Sequence, residues 1–329
     1  MADVAQRAGV SVSTVSHVVN GTRFVKEATR EVVQRAIRDT GYSHNTIARS
    51  LATASTQTFG LAISPVTNTY FAQLVAAIDA AARPAGYTLL IADTHDDPDE
   101  EIRVVRALHR RRVDGILLAP VTGVDGPSLR YLMEFGVPTV LVDRCAGGPI
   151  DQVGTENRLA TAKLTQHLAE LGHTRIALVS GRKGFATSAE REAGYRLGLR
   201  RAGLPFDPDL VVDGESSAEA AESAVARLLT AGGAPTGLVV TNDRMTIGTM
   251  RALARLQLQV PGDVAVVAFD DFEWADLFRP RLTAIAQPIE EIGRRAVDML
   301  VSRLADPALQ PRSVRVSPRF VHRNSCGCE

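Results

Sequence analysis

Only three of the 329 residues are cysteine and one is tryptophan. Cys145 stands at a predicted strand end, and Cys326 and Cys328 form a Cys-Gly-Cys near the end of the chain. A disulfide framework does not suit so large a cytosolic chain. A zinc site needs partners at ligand spacing, and His322 alone does not complete one, so no metal is expected. Long apolar runs are missing too. No stretch approaches the ~18 residues that span a bilayer, and the N-terminus lacks the apolar core of a signal peptide. The chain is therefore expected in the cytoplasm, with no membrane partner. Net charge is absent, with 37 basic residues against 37 acidic. Nor is there a Walker loop, a GxSxG elbow or an HExxH, which argues against an enzyme and calls for no cofactor.

What is present begins at the N-terminus. Residues 1–58 hold seven Arg and Lys against four acids, leaving 30 against 33 for the remainder. A slightly positive head on a slightly negative body suits a nucleic-acid-reading module joined to something else. The run DVAQRAGVSVSTVSHVVNGTR, Asp3–Arg23, has the pattern of a helix-turn-helix. Val4, Ala5 and Ala8 form an inner face, Gly9 supplies the turn, Val10 plugs the angle, and Ser11 can cap the next helix. Over Val12–Asn20, Val15, Val18 and Val19 repeat at i, i+3, i+4. That leaves Ser13, Thr14, Ser16 and His17 opposite, where short polar side chains can reach base edges and phosphates in a major groove. A third amphipathic helix, Lys26–Thr40, carries a stripe of Ala28, Val32, Val33, Ala36 and Ile37. The alternative, a plain packing hairpin, does not account for this third helix.

Beyond the small, polar Ala52–Thr58 the pattern changes. Short apolar runs (59–64, 87–93, 115–119, 139–143, 175–180, 210–213, 238–241 and 264–269) alternate with helical stretches (70–82, 99–111, 157–171, 189–202, 218–229, 244–256 and 289–304). Alternation over more than 200 residues implies an α/β fold with doubly wound parallel sheets, whose ligands sit at the carboxyl ends of the strands.

Several blocks, in order, resemble the LacI/GalR family of bacterial repressors: AGVSVSTVS, the following NG, ATREVVQRAIRDTGY, ARSL, DGILLAP, LGHTRIALVSG, TNDRMTIG and FDDFEWADLFRPRLTAIAQP. The resemblance implies a helix-turn-helix domain over 1–43, a hinge helix and linker over 44–57, and an effector-binding and dimerisation domain over 58–329. The last is of the periplasmic-binding-protein type, with an N-lobe of about 58–156 and 288–312 and a C-lobe of about 157–287 and 313–329. The crossings then lie near Glu156, Pro288 and Ser313. It also implies a homodimer on a near-palindromic DNA operator, released or tightened by a small molecule. The helices at 70–82 and 244–256 become candidate interface elements.

Residue by residue, the resemblance sets Val12, Ser13 and His17 at base edges, and Thr14, Ser16, Asn20 and Arg23 near phosphate. In Asn45–Leu51 it sets a hinge helix that forms when paired on DNA. Ala48 lets two such helices approach, and Leu51 is the wedge into a minor-groove step. Four departures stand out. His17 replaces a common arginine, which shifts the expected operator. The chain begins at Met1-Ala2, so either the first helix lacks its cap, at about 1 kcal/mol, or the start is late. Lys26 replaces a capping serine, and Ser43-His44 replaces a basic-Pro pair.

For the effector cleft the candidates are Asp143, Arg191, Asn242 and Asp270. They form an acceptor and donor set suited to vicinal hydroxyls, as on a sugar. Tyr70, Phe71 and Phe185 would supply apolar faces, with Trp274 at the cleft mouth or between the lobes. Each has a structural alternative: Asp143 and Asp270 as helix caps, Asn242 capping the helix that opens at Asp243, and Tyr70 and Phe71 as core. A nucleobase or nucleoside co-repressor is the alternative ligand. A solute-binding protein is the alternative function, but it would have no use for Asp3–Leu51.

Overall fold

The computed structural model describes residues 1–20, 23–42, 55–64 and 68–328. The chain forms two compact units, Met1–Thr56 and Gln57–Glu329. The hinge candidates Asn45, Ala48 and Leu51 lie outside the described residues.

In the first unit α1 (Ala2–Ala8), α2 (Val12–Asn20) and α3 (Glu27–Thr40) close on one small core. Val4, Ala5, Val15, Val33 and Ala36 are buried, with Val10, Val18, Val19 and Ile37 packed against them. Gly9 ends α1 at φ 67°, and the N–H of Val10 bonds back to Ala5 at 3.1 Å. Ser11 accepts from the N–H of Thr14 at 3.2 Å, capping α2. At the N-termini of α1 and α3, Met1 and Lys26 make no side-chain cap. The expected stripe of α3 is narrower than its sequence suggests. Val32 is 43% exposed and Ala28 is also exposed. Val32 stands about 100° around the helix from Val33, beyond the face that α1 and α2 can cover.

The second unit holds two six-stranded sheets. The first contains β1 (Thr58–Ile63), β2 (Thr88–Asp93), β3 (Gly115–Leu118), β4 (Thr139–Val142), β5 (Asp151–Thr155) and β11 (Ser313–Val316). Its strand order is β11-β5-β4-β3-β1-β2, all parallel. The second contains β6 (Ile176–Ser180), β7 (Val211–Asp213), β8 (Gly237–Val240), β9 (Ala265–Phe269), β10 (Thr283–Ala286) and β12 (Arg319–Val321). Its order is β12-β10-β9-β8-β6-β7, parallel except for the β10–β12 pair. Central strands such as GILL, TVLV, GLVV and AVVAF are buried throughout. They are apolar at every position because helices cover both faces of a parallel sheet. Those helices are α4 (Thr69–Ala82), α5 (Pro98–Arg110), α6 (Pro127–Glu134), α7 (Asn157–Glu170), α8 (Ala186–Arg201), α9 (Ala218–Thr230), α10 (Asp243–Arg255) and α11 (Ile289–Ala305).

Strand order reverses between β1 and β3 in one sheet and between β6 and β8 in the other. Ligand crevices open at such switch points, beyond the carboxyl ends of the strands. The chain passes between sheets after β5, at Glu156, and after β10, just before α11. The third passage comes later than Ser313. Residues 313–316 form β11 beside β5, so the passage falls at 317–318 before β12.

Candidate functional site

The carboxyl ends of the two sheets face each other across a cavity of about 310 Å³. From the first lobe, Asp143 follows β4 at φ 63° and is buried. It accepts a hydrogen bond from the Tyr70 hydroxyl at 2.8 Å, and burial holds that phenol well above its ordinary pKa. From the second lobe, Asp270 follows β9 at φ 80°, also buried. It accepts from the Gln287 amide and from the N–H of Asp243 at 3.3 Å. Burial pushes its pKa up to about 6. Arg191 opposes that rise, and the neighbouring Asp243 adds to it.

Arg191 comes from α8, which α7 approaches closely. A Cβ at Gly194 would lie 2.4 Å from the Arg158 carbonyl, and one at Gly198 would lie 2.7 Å from that of Ala162. This contact sets Asn157 of α7 beside Arg191, whose Nε donates to it at 2.9 Å. The guanidinium also donates to the Thr241 carbonyl and lies 3.8 Å over the Phe269 ring. Asn242 caps α10, accepting from the N–H of Met245 at 2.7 Å. Its amide N–H groups are what it can offer a ligand.

Arg144, absent from the sequence-based set, is buried and donates to Asp96 at 2.6 Å. Its guanidinium lies 3.9 Å over the Phe185 ring of the other lobe. Two further contacts span the cleft: Asn68 donates to Asp243 at 3.4 Å, and Arg182 donates to the Asp96 carbonyl at 2.9 Å.

On α2, Val12 is 48% exposed and Ser13 is exposed, while Thr14, Ser16 and His17 are half-buried. Arg23, beyond the helix, is exposed. The apolar stripe therefore turns inward and the polar edge turns outward, as a groove-reading helix requires.

Comparison with known proteins agrees with this geometry. Residues 1–45 match the family described as bacterial regulatory proteins, lacI family, and residues 165–326 match the periplasmic binding protein-like domain. The ribose operon repressor of Escherichia coli strain K12 is 36% identical over 327 residues, covering 99% of each chain. The chain belongs to the lacI family of bacterial regulatory proteins. Within that family it is 32% identical to the transcriptional repressor PurR of Vibrio atlanticus, over 98% of this chain and 97% of that one. The structure of the Lac repressor dimer bound to operator and an anti-inducer superposes with a TM-score of 0.89, at 30% identity and 98% coverage of both chains. As a lacI-family member, the chain is a DNA-binding transcriptional regulator that answers to a small molecule.

The structure brings Tyr70, Phe71, Asp143, Phe185, Arg191, Asn242 and Asp270 into one cleft lining. Trp274 is not among them. It sits on a 3-10 turn at 273–276, 49% exposed, with its ring edge on Phe272 at 6.3 Å. The loop after β9 doubles back, with the N–H of Leu282 bonded to the Ala275 carbonyl at 3.0 Å. Sequence reading also missed Gln287 and Asn157. Gln287 stands at the second passage between lobes, and that position is its one sequence signal.

Proposed function

We propose that the chain represses transcription as a homodimer on a near-palindromic operator, with a monosaccharide in the interlobe cleft as its effector. Asp143 and Asp270 accept hydrogen bonds from sugar hydroxyls, while Arg191 and the Asn242 amide donate to sugar oxygens. Val12, Ser13 and His17 lie against base edges, and Thr14, Ser16, Asn20 and Arg23 lie along phosphates. The protein binds its effector without turning it over, and works in the cytoplasm.

The observation that carries the sugar reading is the state of the aromatic rings. A planar base is held by stacking, yet Phe185 and Phe269 already carry guanidinium groups at 3.9 and 3.8 Å. Of the other rings in the lining, Tyr70 and Phe71 meet edge to face at 5.3 Å, and Arg144 also lies 5.7 Å over Phe71; the rest of the lining is mostly polar. A volume near 310 Å³ is at the small end for ligand sites, which suits one sugar ring. The ribose-operon relative points the same way.

A thermal-shift panel of pentoses, hexoses, polyols and purine bases tests this. A pentose at ~100 times its dissociation constant adds about 2.7 kcal/mol, a shift of a few degrees. That shift should vanish in Asp270→Ala and in Arg191→Ala. A response to hypoxanthine or guanine alone would replace the sugar with a purine.

A further inference from the structure

His167 on α7 lies beside the C-terminal tail, where His322, Cys326 and Cys328 converge. One ligand atom from each of the four lies within 4.8 Å of the others. We propose that these four residues bind a single zinc ion tetrahedrally and clasp the tail to α7. The expectation of no metal site came from the tail alone. The missing ligand is 161 positions before Cys328, a partner that no local spacing can reveal.

The distances fit. With Zn–S near ~2.3 Å and Zn–N near ~2.0 Å, tetrahedral angles put sulfur and nitrogen about 3.5 Å apart. Cys326 Sγ lies 3.5 Å from His322 Nε2, and Cys328 Sγ lies 3.7 Å from His167 Nε2. Two sulfurs and two imidazoles are a donor set that selects zinc over the oxygen-seeking magnesium and calcium. Four protein ligands leave no open position, which is the mark of a structural site.

The tail is placed independently of any ion. Ser325 accepts from the N–H groups of Val266 and Thr283 at 2.8 Å each, through its carbonyl and its hydroxyl, and its hydroxyl donates to the Val266 carbonyl at 2.6 Å. Gly327 at φ 91° turns the chain between the cysteines, so both sulfurs reach one side. The Thr283 hydroxyl donates to Cys326 Sγ at 3.2 Å, an outer bond of the kind that orients a thiolate ligand. The rings of His167 and His322 meet edge to face at 5.3 Å, and His167 also lies edge-on to Phe320 at 5.2 Å. The clasped segment carries Arg323, ion-paired at 2.7 Å to Asp271, the residue after the cleft carboxylate Asp270. A zinc ion there would brace the wall of the effector cleft from behind.

Cobalt(II) is the probe. Reduced, metal-free, full-length protein is titrated with it, and zinc then competes in the presence of a chromophoric chelator. One equivalent should give tetrahedral d–d bands and a thiolate charge-transfer band, both erased by zinc. His322 is exposed, so His322→Ala keeps the fold, and Cys328→Ser is a second probe. Each should weaken zinc by at least on the order of 100-fold, more than loss of an outer-shell partner costs. Octahedral cobalt without a thiolate band would overturn the proposal, as would undiminished zinc affinity in both variants. So would a Cys326–Cys328 disulfide that re-forms after reduction while no metal is taken up.

Discussion

Asp270 carries two opposed demands. Its carboxylate must be ionised to accept two sugar hydroxyls, yet burial pushes its pKa up to about 6, with Asp243 adding to the rise and Arg191 opposing it. In the unfolded chain an aspartate titrates near ~3.9. Between pH 4 and 6 the unfolded state therefore loses this proton while the folded state keeps it. The cost of folding with Asp270 grows across that window and is fully present above it. Replacing it with a neutral isostere removes the cost, so the Tm of Asp270→Asn should gain on the parent as pH rises from 4 to 7. Parallel Tm curves would show that this carboxyl titrates normally. Sugar binding should run the other way, weakening about tenfold from pH 7 to 5 as the acceptor is protonated. The Asn variant should bind weakly at both pH values.

At the scale of elements, legibility in the sequence followed the strength of the periodic signal. Strands buried on both faces, such as β3, β4, β8 and β9, read as apolar runs. β5 does not, because DQVGT is polar in sequence but buried in the fold. Its Asp151 is hidden by pairing with Arg303 at 2.9 Å and Arg312 at 3.5 Å. β10, β11 and β12 are three or four residues long, too short for alternation to register, and α6 is only eight. Asp143, Asn242 and Asp270 follow strands, where such sheets place ligand groups, whereas Arg191 lies on α8 and came from the family resemblance alone. Arg144 and His167 act through partners from distant segments, which a linear reading does not bring together.

The α7–α8 contact was equally hidden, since α8 shows no one-sided apolar stripe. Two glycines make the contact, and Gly198 offers a test. On an exposed helix Gly→Ala gains about 1 kcal/mol. Here the new methyl would meet Thr165 Cβ at 2.6 Å and a backbone carbonyl that cannot swing aside. Overpacking of this kind costs about 1–3 kcal/mol. We expect Gly198→Ala to lower stability in urea unfolding and to weaken sugar binding, since α8 carries Arg191. A more stable variant would mean that the helices separate freely.

At the scale of the whole molecule, regulation requires the two lobes to have distinguishable arrangements that ligand and operator weigh differently. Asn68 and Asp243 form one contact across the cleft, and Asn68 also caps α4 by accepting from the N–H of Tyr70 at 2.8 Å. Asn68→Asp separates the two roles. Aspartate is as good a cap, so α4 keeps its start. The donor to Asp243 becomes a second carboxylate a few ångströms from the first, and the arrangement that holds this contact is penalised. Burial already raises the pKa of Asp243, and the new charge would raise it further. We expect nearly unchanged Tm, but sugar affinity lower than the parent's by on the order of tenfold near neutral pH, with that deficit narrowing at pH 5 as one carboxyl takes a proton. Operator affinity, measured with and without the sugar, must change by the same factor as sugar affinity measured with and without operator, in the parent and in the variant alike. Factors of one in the parent would mean that sugar and operator do not act on one shared equilibrium of the lobes. Equal factors that shrink toward unity in Asn68→Asp would place the Asn68–Asp243 contact within that equilibrium.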